Sequence, residues 1–436
     1  MSGSQAAYTY LSFQRPPPSR VAPGEAVGVS PLICSDLRDL VHTPAEPLLL
    51  RLQWVVLQQG QLRAVPKQEP VSVTWSGPQD AYRVTTLTAP ALRHDAELRL
   101  AMWAEHRPAT HKRRKNGEAD LGVHLCTAFD SRRHADDALD ALPIPVVTGP
   151  IRVGRGAAGN DKVDSTSRLF TLGRQERYRV LEIREQTGFA LDKHVWDAAM
   201  HLSRLLVEVL PAGAAEVEAK DLEMERTARN HLQSLCTAPS LRVVELGAGT
   251  AMLSIMLAAL WNKRTASSPA SSEDDAPSRT TLECWATDLE PALSLIDTNI
   301  GLNSASLAAR DDRSVLVRSL LLDWDAEKLP AELRRTDGAA ADIVLASDCT
   351  YNPSSFTALA RTIARLLSSS SSAAQDGPGP LALLAKKHRH IDEEALWDTL
   401  AAHRLSARLI AGRAPSTHDD ADYEGWGIWL LTLDAA

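Results

Sequence analysis

From Leu241 onward, short apolar runs alternate with segments whose apolar residues recur at helical spacing. This alternation is typical of a parallel sheet covered by helices, because each crossover between parallel strands needs a helix-length connection. The predicted strands are residues 241–246, 282–289, 314–322, 341–347 and 380–387, and 407–412 with 426–433 could form a closing hairpin. We therefore predict an α/β fold with a seven-stranded, mostly parallel, doubly wound sheet.

The first third of the chain has a different pattern. Residues 1–145 contain short alternating or aromatic segments separated by turn-rich pieces, which predicts a β-rich domain of unknown role. The stretch PIPVVTGPIRVGRGAAGNDKV is rich in glycine and proline, so a linker is expected over 146–164 and a second domain over 165–436. A helix is predicted to open near Asp192 and to end at Pro211. Two low-complexity inserts, 263–280 and 368–379, are predicted to be disordered surface loops.

Charge and composition exclude some classes of partner. The net charge of −8 argues against a duplex-binding surface over the whole molecule, so a nucleic-acid partner is not expected. The longest apolar tract, 246–261, contains Gly247 and Gly249 and is interpreted as strand, turn and buried helix, so no membrane span is expected. Five scattered cysteines without metal or redox spacing favour a reducing compartment, either cytoplasm or nucleus. The basic run 111–115 is interpreted as a hairpin loop in preference to a nuclear-import signal.

A glycine-containing turn follows the first strand of the alternating region, in VVELGAGTAML. Gly247, Ala248 and Gly249 stand at the carboxyl edge of the predicted sheet, where open α/β sheets bind ligands. Met252 occupies the place of the third glycine of a dinucleotide fingerprint, which counts against NAD or FAD. Glu245, just before the glycines, is expected to hold the loop or the amino group of a cofactor.

Acidic residues end the next two predicted strands. Asp288 is in place to bind the hydroxyls of a ribose, because its distance from Gly249 exceeds the expected ~20 residues by about the length of the first insert. The alternative is that Asp288 caps the following helix. Asp323 could accept hydrogens from an adenine amino group, and Trp324 could lie against the base. Taken alone, this pair is more often a strand end plus core packing.

The fourth strand ends in LASDCTYNP. Its apolar run stops at Ser347, and Asp348 and Tyr351 stand on the turn that leads to Asn352-Pro353. An acid and a phenol held on a tight turn at the end of a strand are candidates for a functional site. The alternative is that Asp348 caps the helix that begins at Pro353.

Together these segments resemble class I S-adenosylmethionine-dependent methyltransferases, whose fold is Rossmann-like. HVWDAAMHLSRLL, VVELGAGTAMLSIML, ATDLEPALSLIDTNIGLN and DIVLASDCTYNPSSFTALARTI are similar, more closely, to the lysine methyltransferases called methyltransferase family 16. The Asp-x-x-Tyr signature of that family corresponds to Asp348 and Tyr351.

The resemblance implies S-adenosylmethionine as cofactor, no metal, and methyl transfer to a lysine amine of a protein substrate. It implies cofactor contacts from Trp196, Glu245, Gly247, Ala248, Gly249, Asp288, Asp323, Trp324 and the backbone at Ser347. Asp348 would orient the arriving amine and Tyr351 would line its channel.

Three other functions stay open at this point. Amide- and adenine-methylating enzymes share the fold but carry Asn-Pro-Pro-Tyr where this chain has Asp348-Cys349-Thr350-Tyr351. A small-molecule methyltransferase is also compatible with the fold, and so is a scaffold that keeps a cofactor site without catalysis. His388-Arg389-His390 lacks a partner at ligand spacing and is expected to form a basic rim at the substrate mouth.

Overall fold

A computed structural model describes two compact units, residues 1–194 and 195–436. The residues that it describes are 8–58, 60–105, 125–129, 142–155, 161–172, 180–188, 193–210, 226–263, 280–309, 313–335, 339–368, 379–412 and 425–434. Among these residues, no helix is long and apolar enough to cross a membrane.

The first unit is built from strands. Their bounds are β1 Tyr10–Phe13, β2 Arg20–Val21, β3 Ala26–Val29, β4 Pro31–Cys34, β5 Leu48–Gln58, β6 Gln61–Ala64, β7 Val71–Trp75, β8 Thr85–Thr88, β9 Ala96–Glu105, β10 Cys126–Ala128, β11 Val146–Thr148, β12 Ile151–Val153, β13 Ser165–Thr171 and β14 Leu181–Gln186. A ten-stranded sheet has the order β10-β13-β11-β9-β12-β2, with β14 on β13, β5 on β9, and β6 and β7 on β5. The pairs β1–β4 and β3–β8 form two small sheets. The β-rich nature of this region agrees with its alternating sequence pattern.

The predicted linker over 146–164 is wrong, because two strands of the large sheet lie inside it. β11 pairs with β9 and β13, and β12 pairs with β9 and β2. Val146, Val147, Ile151 and Val153 are fully buried in these strands. Each strand has only three residues, which is too short to show a period between the flanking glycines and prolines. The first unit therefore continues through β13 and β14, and the division falls at His194 instead of residue 164.

The second unit is the predicted α/β domain. Its strands are β15 Ser240–Leu246, β16 Thr280–Asp288, β17 Arg313–Leu321, β18 Ile343–Ser347, β19 Leu381–His388, β20 Leu405–Gly412 and β21 Gly425–Leu433. Its helices are α1 Asp197–Val209, α2 Arg226–Thr237, α3 Met252–Lys263, α4 Glu290–Leu302, α5 Ser304–Leu307, α6 Phe356–Leu367 and α7 Ala395–Ala402. The seven-stranded sheet has the order β17-β16-β15-β18-β19-β21-β20.

The pairing of this sheet confirms the predicted fold class. The strands β17, β16, β15, β18 and β19 are parallel to one another, whereas β21 is antiparallel to both β19 and β20. The central strands are almost continuously apolar and buried, as expected when helices cover both faces of a parallel sheet. The carboxyl ends of five parallel strands consequently meet at one edge, and every residue of the candidate site except Trp196 lies on or directly after one of those ends.

Several sequence predictions fall outside the described residues. The basic run 111–115 is among them, as are Asp192 and Pro211 and nearly all of the inserts 263–280 and 368–379. At the borders of the first insert, α3 ends at Lys263 and β16 begins at Thr280.

Candidate active site

The turn after β15 is a tight loop whose first position favours glycine. Gly247 and Gly249 have φ angles of +60° and +53°, a region that glycine enters without steric cost. A Cβ on Gly247 would lie 3.2 Å from Cβ of Cys349 and 3.5 Å from the indole of Trp324. The loop therefore touches the ends of two other segments, the one after β17 and the one after β18.

Glu245 fixes this loop to the helix that follows it. Its Oε2 accepts a hydrogen bond from the backbone N–H of Ser254 at 3.0 Å and one from the Ser254 hydroxyl at 2.5 Å. Burial raises the pKa of Glu245 to about 7, and the two bonds from Ser254 oppose that rise. Of the two roles expected for Glu245, the one visible here is holding the first turn of α3.

Asp288 ends β16 and reaches the glycine loop directly. Its Oδ2 accepts from the backbone N–H of Gly249 at 2.8 Å, and its Oδ1 accepts from the N–H of Leu289 at 2.7 Å. The next helix begins at Glu290 with Leu289 in the N-cap position, so Asp288 does not cap that helix as the alternative proposed. The insert between α3 and β16 does not separate Asp288 from the loop, because parallel pairing brings the two strand ends together.

The segment after β17 places Trp324 against the loop and Asp323 at the surface. Leu322 donates its N–H to the carbonyl of Asp288 at 3.0 Å, so the third strand end lies beside the second. Trp324 is half-buried, while the exposed Asp323 accepts from the N–H of Asp325 at 2.9 Å. The predicted strand-end pair is thus split between a packed indole and a solvent-facing carboxylate.

Ser347, the last residue of β18, carries an enclosed hydroxyl. Its Oγ is shielded from solvent and has no hydrogen-bond partner among the described residues. Buried hydroxyl groups normally have a partner, so an unsatisfied one at a ligand-binding edge is a feature that a bound molecule could explain.

Asp348 sits on a left-handed backbone position, with φ of +50°. This turn directs its carboxylate toward the end of the neighbouring strand β19. Oδ1 accepts from the backbone N–H of Lys387 at 3.2 Å, and Oδ2 accepts from Nη2 of Arg389 at 3.0 Å. Asp348 is therefore one half of an ion pair whose other half lies 41 residues further along the chain.

The helix-cap alternative for Asp348 is wrong. The side chain that caps the turn at Pro353 is Asn352, whose Oδ1 accepts from the N–H of Ser354 at 3.1 Å. Tyr351, between the two, is 60% exposed and stands at the surface of the turn. Its ring is accessible to a macromolecule at the edge of the sheet.

Trp196 is connected to the candidate site by its contact with Arg389. It occupies the N-cap position of α1 in an extended conformation, and the guanidinium carbon of Arg389 lies 5.5 Å from the centroid of its ring. Next to it, Asp197 forms an ion pair of 2.8 Å with Lys387. The start of α1 is thus attached to the end of β19 by two neighbouring contacts.

The sequence analysis placed Arg389 in a basic rim with His388 and His390 and did not predict its ion pair with Asp348. His388 is buried and packs edge-on against Trp429 at 5.6 Å, so the expected basic rim of 388–390 is wrong for that residue. His390 is exposed, and Arg389 turns toward Asp348. Residues that follow adjacent parallel strands lie close together, but that β18 and β19 are adjacent is known only from the structure. Among the described residues, no three metal-binding side chains are grouped.

Comparison with known proteins gives the family. A sequence profile described as lysine methyltransferase matches residues 175–401, just over half of the chain. This chain belongs to the lysine methyltransferase family. No curated protein matches the chain.

Two solved structures similar to this lysine methyltransferase family member are also methyltransferases. One is an arsenic(III) S-adenosylmethionine methyltransferase from Chlamydomonas reinhardtii, with 10% identity, a TM-score of 0.29, and coverage of 45% of this chain and 64% of the other. The chain thus spans just under two thirds of the length of that protein. The other is a methyltransferase from Pyrococcus furiosus, with 14% identity, a TM-score of 0.28, and coverage of 54% and 95%. The family and the class I methyltransferase fold support an S-adenosylmethionine-dependent methyltransferase.

Proposed function

We propose that this protein is an S-adenosylmethionine-dependent protein-lysine N-methyltransferase. One observation carries the proposal: Asp348 follows β18 directly, and its neighbour Cys349 packs against Gly247 of the glycine loop. The residue proposed to direct the amine is therefore adjacent in sequence to one that packs against the loop that would hold the cofactor.

The residues present fit S-adenosylmethionine. The loop at Gly247 and Gly249 allows a ligand to approach the backbone closely. Asp288 and Asp323 offer carboxylate acceptors at two strand ends. The buried Ser347 hydroxyl has no hydrogen-bond partner among the described residues, and a bound cofactor would supply one. Asp288 would hold the ribose, while Trp324 and Asp323 would flank the adenine. When bound, the cofactor would supply a methyl group on a sulfonium, which a neutral amine takes as the carbon–sulfur bond breaks and its electron pair returns to sulfur.

Asp348 is suited to direct a lysine amine. A lysine has a pKa of ~10.4 in water and is mostly an ammonium ion at neutral pH, so its proton must leave before the nitrogen lone pair can react. A carboxylate can accept an N–H of the neutral amine and thereby orient the lone pair. Holding the reacting atoms in line supplies much of the rate in reactions of this kind.

The surroundings favour a macromolecular substrate. Three large apolar side chains, Leu289, Tyr351 and Ile391, are at least half exposed on loops after β16, β18 and β19. Sites for small molecules usually enclose most of their ligand, whereas large apolar side chains left exposed on the loops that follow these strands can contact a protein substrate. The ring of Tyr351 would also attract a cationic lysine as it arrives.

A labelling experiment tests the proposal. The purified protein and S-adenosylmethionine with a radiolabelled methyl group are added to an extract of cells that lack this chain. Acid hydrolysis of the labelled protein should yield methylated lysine. Label in nucleic acid or in small molecules would instead assign a different substrate class. Calorimetric binding of the cofactor without any transfer would indicate a scaffold.

A further inference from the structure

The ion pair between Asp348 and Arg389 is placed where it decides the charge of the candidate site. Nη2 of Arg389 lies 3.0 Å from Oδ2 of Asp348, and the two side chains are 18% and 7% exposed, respectively. The pair is therefore largely shielded from water, and solvent and salt screen the interaction between its opposite charges less than they would at the surface. Its carboxylate partner is the residue proposed to direct the substrate amine.

Arg389 is held in this position from a second side. Its guanidinium lies over the ring of Trp196, and the adjacent ion pair of Lys387 with Asp197 attaches the same end of β19 to α1. An arginine that only neutralised a surface charge would need neither contact. These contacts indicate that the fold fixes the orientation of the guanidinium group.

The charge of Asp348 affects Cys349, a residue that contacts the glycine loop. Cys349 packs against Gly247, and its thiol pKa is raised to about 12, first by burial and next by the charge of Asp348. An isolated carboxylate there would favour the ammonium form of a lysine, since an opposite charge within ~4–6 Å shifts a titration by ~1–3 units. Such a shift would oppose methyl transfer, because the ammonium form has no lone pair.

We infer that Arg389 is a positioning residue that cancels the charge of Asp348, so that the site takes a neutral amine instead of holding an ammonium ion. This inference rests on the proposed lysine methylation. Asp348 then acts through the direction of its hydrogen bond and not through its net charge.

Other charges near the pair come mostly in compensating couples. Lys387 is paired with Asp197, and Lys386 with Glu393, at 2.8 Å each. Other titratable groups on the described neighbouring segments include His201 on α1, Cys349 and Tyr351 on the turn after β18, His388, His390, Asp392 and Glu394 at and after the end of β19 and, across the glycine loop, Asp288. A change at Arg389 therefore alters the local charge by one unit against a nearly balanced background.

The first test is the pH profile of methyl transfer. Initial rates are measured from pH 6.5 to 10 on the most strongly labelled protein band of the cell extract, kept below saturation. In Arg389→Gln the acidic limb of the profile should move up by about one pH unit, the lower end of the shift that an unbalanced charge causes. The rate at pH 7 should then fall about ten-fold and recover at high pH. Arg389→Lys keeps the positive charge, so the acidic limb of its pH profile should lie at the same pH as in the wild type.

A matched control removes an arginine from an ion pair at the opposite end of the sheet. Arg242, near the start of β15, pairs with Glu283 at 2.8 Å. Arg242→Gln should leave the pH limb unchanged even if the protein becomes less stable. A purely structural role of Arg389 would lower the rate equally at every pH, and that result would overturn the inference.

The second test needs no methyl acceptor. Calorimetry measures the affinities for S-adenosylmethionine, which carries the sulfonium charge, and for S-adenosylhomocysteine, which lacks it. In Arg389→Gln the preference for the charged ligand should rise about five- to ten-fold, as expected for one unbalanced charge in a site largely shielded from water. In the double variant D348N/R389Q the preference should return to that of the wild type.

The two tests separate this inference from the proposed function. If the extract accepts no label on lysine, lysine methylation fails, and the affinity preference alone decides whether Arg389 balances Asp348. A normally melting Arg389→Gln protein with the wild-type preference would overturn the charge balance, whatever the substrate.

Discussion

Two aspartates end neighbouring regions of the same parallel sheet and are held in different ways. Asp288, the last residue of β16, accepts from the backbone amides of Gly249 and Leu289. Asp348, after β18, accepts from one backbone amide and from the guanidinium of Arg389. The first carboxylate is oriented by neutral donors, and the second is oriented by a cation.

This difference fits the two roles proposed for these aspartates. A ribose presents neutral hydroxyl groups, and a carboxylate that keeps its charge binds them more strongly than a neutral acceptor does. A reacting lysine must be neutral, so a carboxylate beside it works best when its charge is balanced. If both proposals hold, the same residue type at two strand ends acquires its role from its hydrogen-bond donors.

The largest effect is expected from Asp348→Asn. The amide oxygen can still accept a hydrogen bond, but it is a weaker acceptor, and the amide NH2 cannot accept from Arg389 or Lys387, so the orientation of the side chain is lost. We expect kcat/KM for the labelled protein band to fall by about 100-fold or more, the usual scale for one positioned polar group. The measurement is radiolabelled methyl transfer, with a thermal melt on the same preparation.

Asp342→Asn is the matched control for that variant. Asp342 stands just before the start of β18, and its Oδ2 accepts from the N–H of Arg242 at 2.7 Å. Burial raises its pKa, so a neutral amide should be tolerated there and activity should stay near wild type. If Asp348→Asn melted normally and methylated at the wild-type rate, Asp348 would have no directing role.

The next largest effect is expected from Asp288→Ala, on cofactor binding. Loss of a charged acceptor is worth ~1.5–3 kcal/mol, or about ten- to a hundred-fold in affinity for S-adenosylmethionine. Calorimetry on this variant and on Asp297→Ala, an exposed acid of α4 bonded to Ser319, checks the assignment. Equal affinities in the two variants would remove Asp288 from the ribose site.

The sequence predicted the first of these two environments better than the second. Gly247, Gly249 and Asp288 belong to one strand–turn–helix unit and its neighbour, and strand-end spacing was enough to place them together. Arg389 could not be found in this way, because the left-handed turn at Asp348 that aims its carboxylate at Arg389 leaves no signal in residue type. A non-glycine residue at positive φ is uncommon and depends on the surrounding packing.

The boundary between the two units failed for a related reason. β11 and β12 have three residues each, so their identity as strands comes from pairing with β9 and not from local pattern. Long strands such as β5 and β9 were visible in the sequence, because their length shows an apolar pattern. Non-local pairing is the information that a single sequence carries least clearly.

A smaller effect is expected from the glycine that lies between the two aspartate environments. Gly247→Ala should lose ~1–2 kcal/mol of folding free energy, because alanine is strained at positive φ and its Cβ would press on Cys349. Gly301, inside α4, has open space around its Cβ position, so Gly301→Ala should instead stabilise by ~0.5–1 kcal/mol. Urea denaturation of both variants is the measurement, and equal shifts would contradict the need for glycine at 247.

The smallest effect concerns the carboxylate that holds the loop shared by both environments. The pKa of Glu245 is raised from 4.5 to about 7 by burial. Between these two values the unfolded chain has lost the proton that the folded protein keeps. Its contribution to stability is therefore fully present below about pH 4.5 and is lost as the pH rises toward 7.

Glu245→Gln should remove this dependence while keeping an acceptor for Ser254. Because the surroundings of a buried charge relax, we expect only ~1 kcal/mol of the effect to appear, or a change of ~3 °C in the Tm difference between the two proteins. Thermal melts of both proteins at pH 5 and pH 8 measure this change. The Tm of the variant relative to that of the wild type should be higher at pH 8 than at pH 5. Parallel curves would mean that Glu245 is already ionised at pH 5, so that the loop is held by a charged acceptor like the two aspartates beside it.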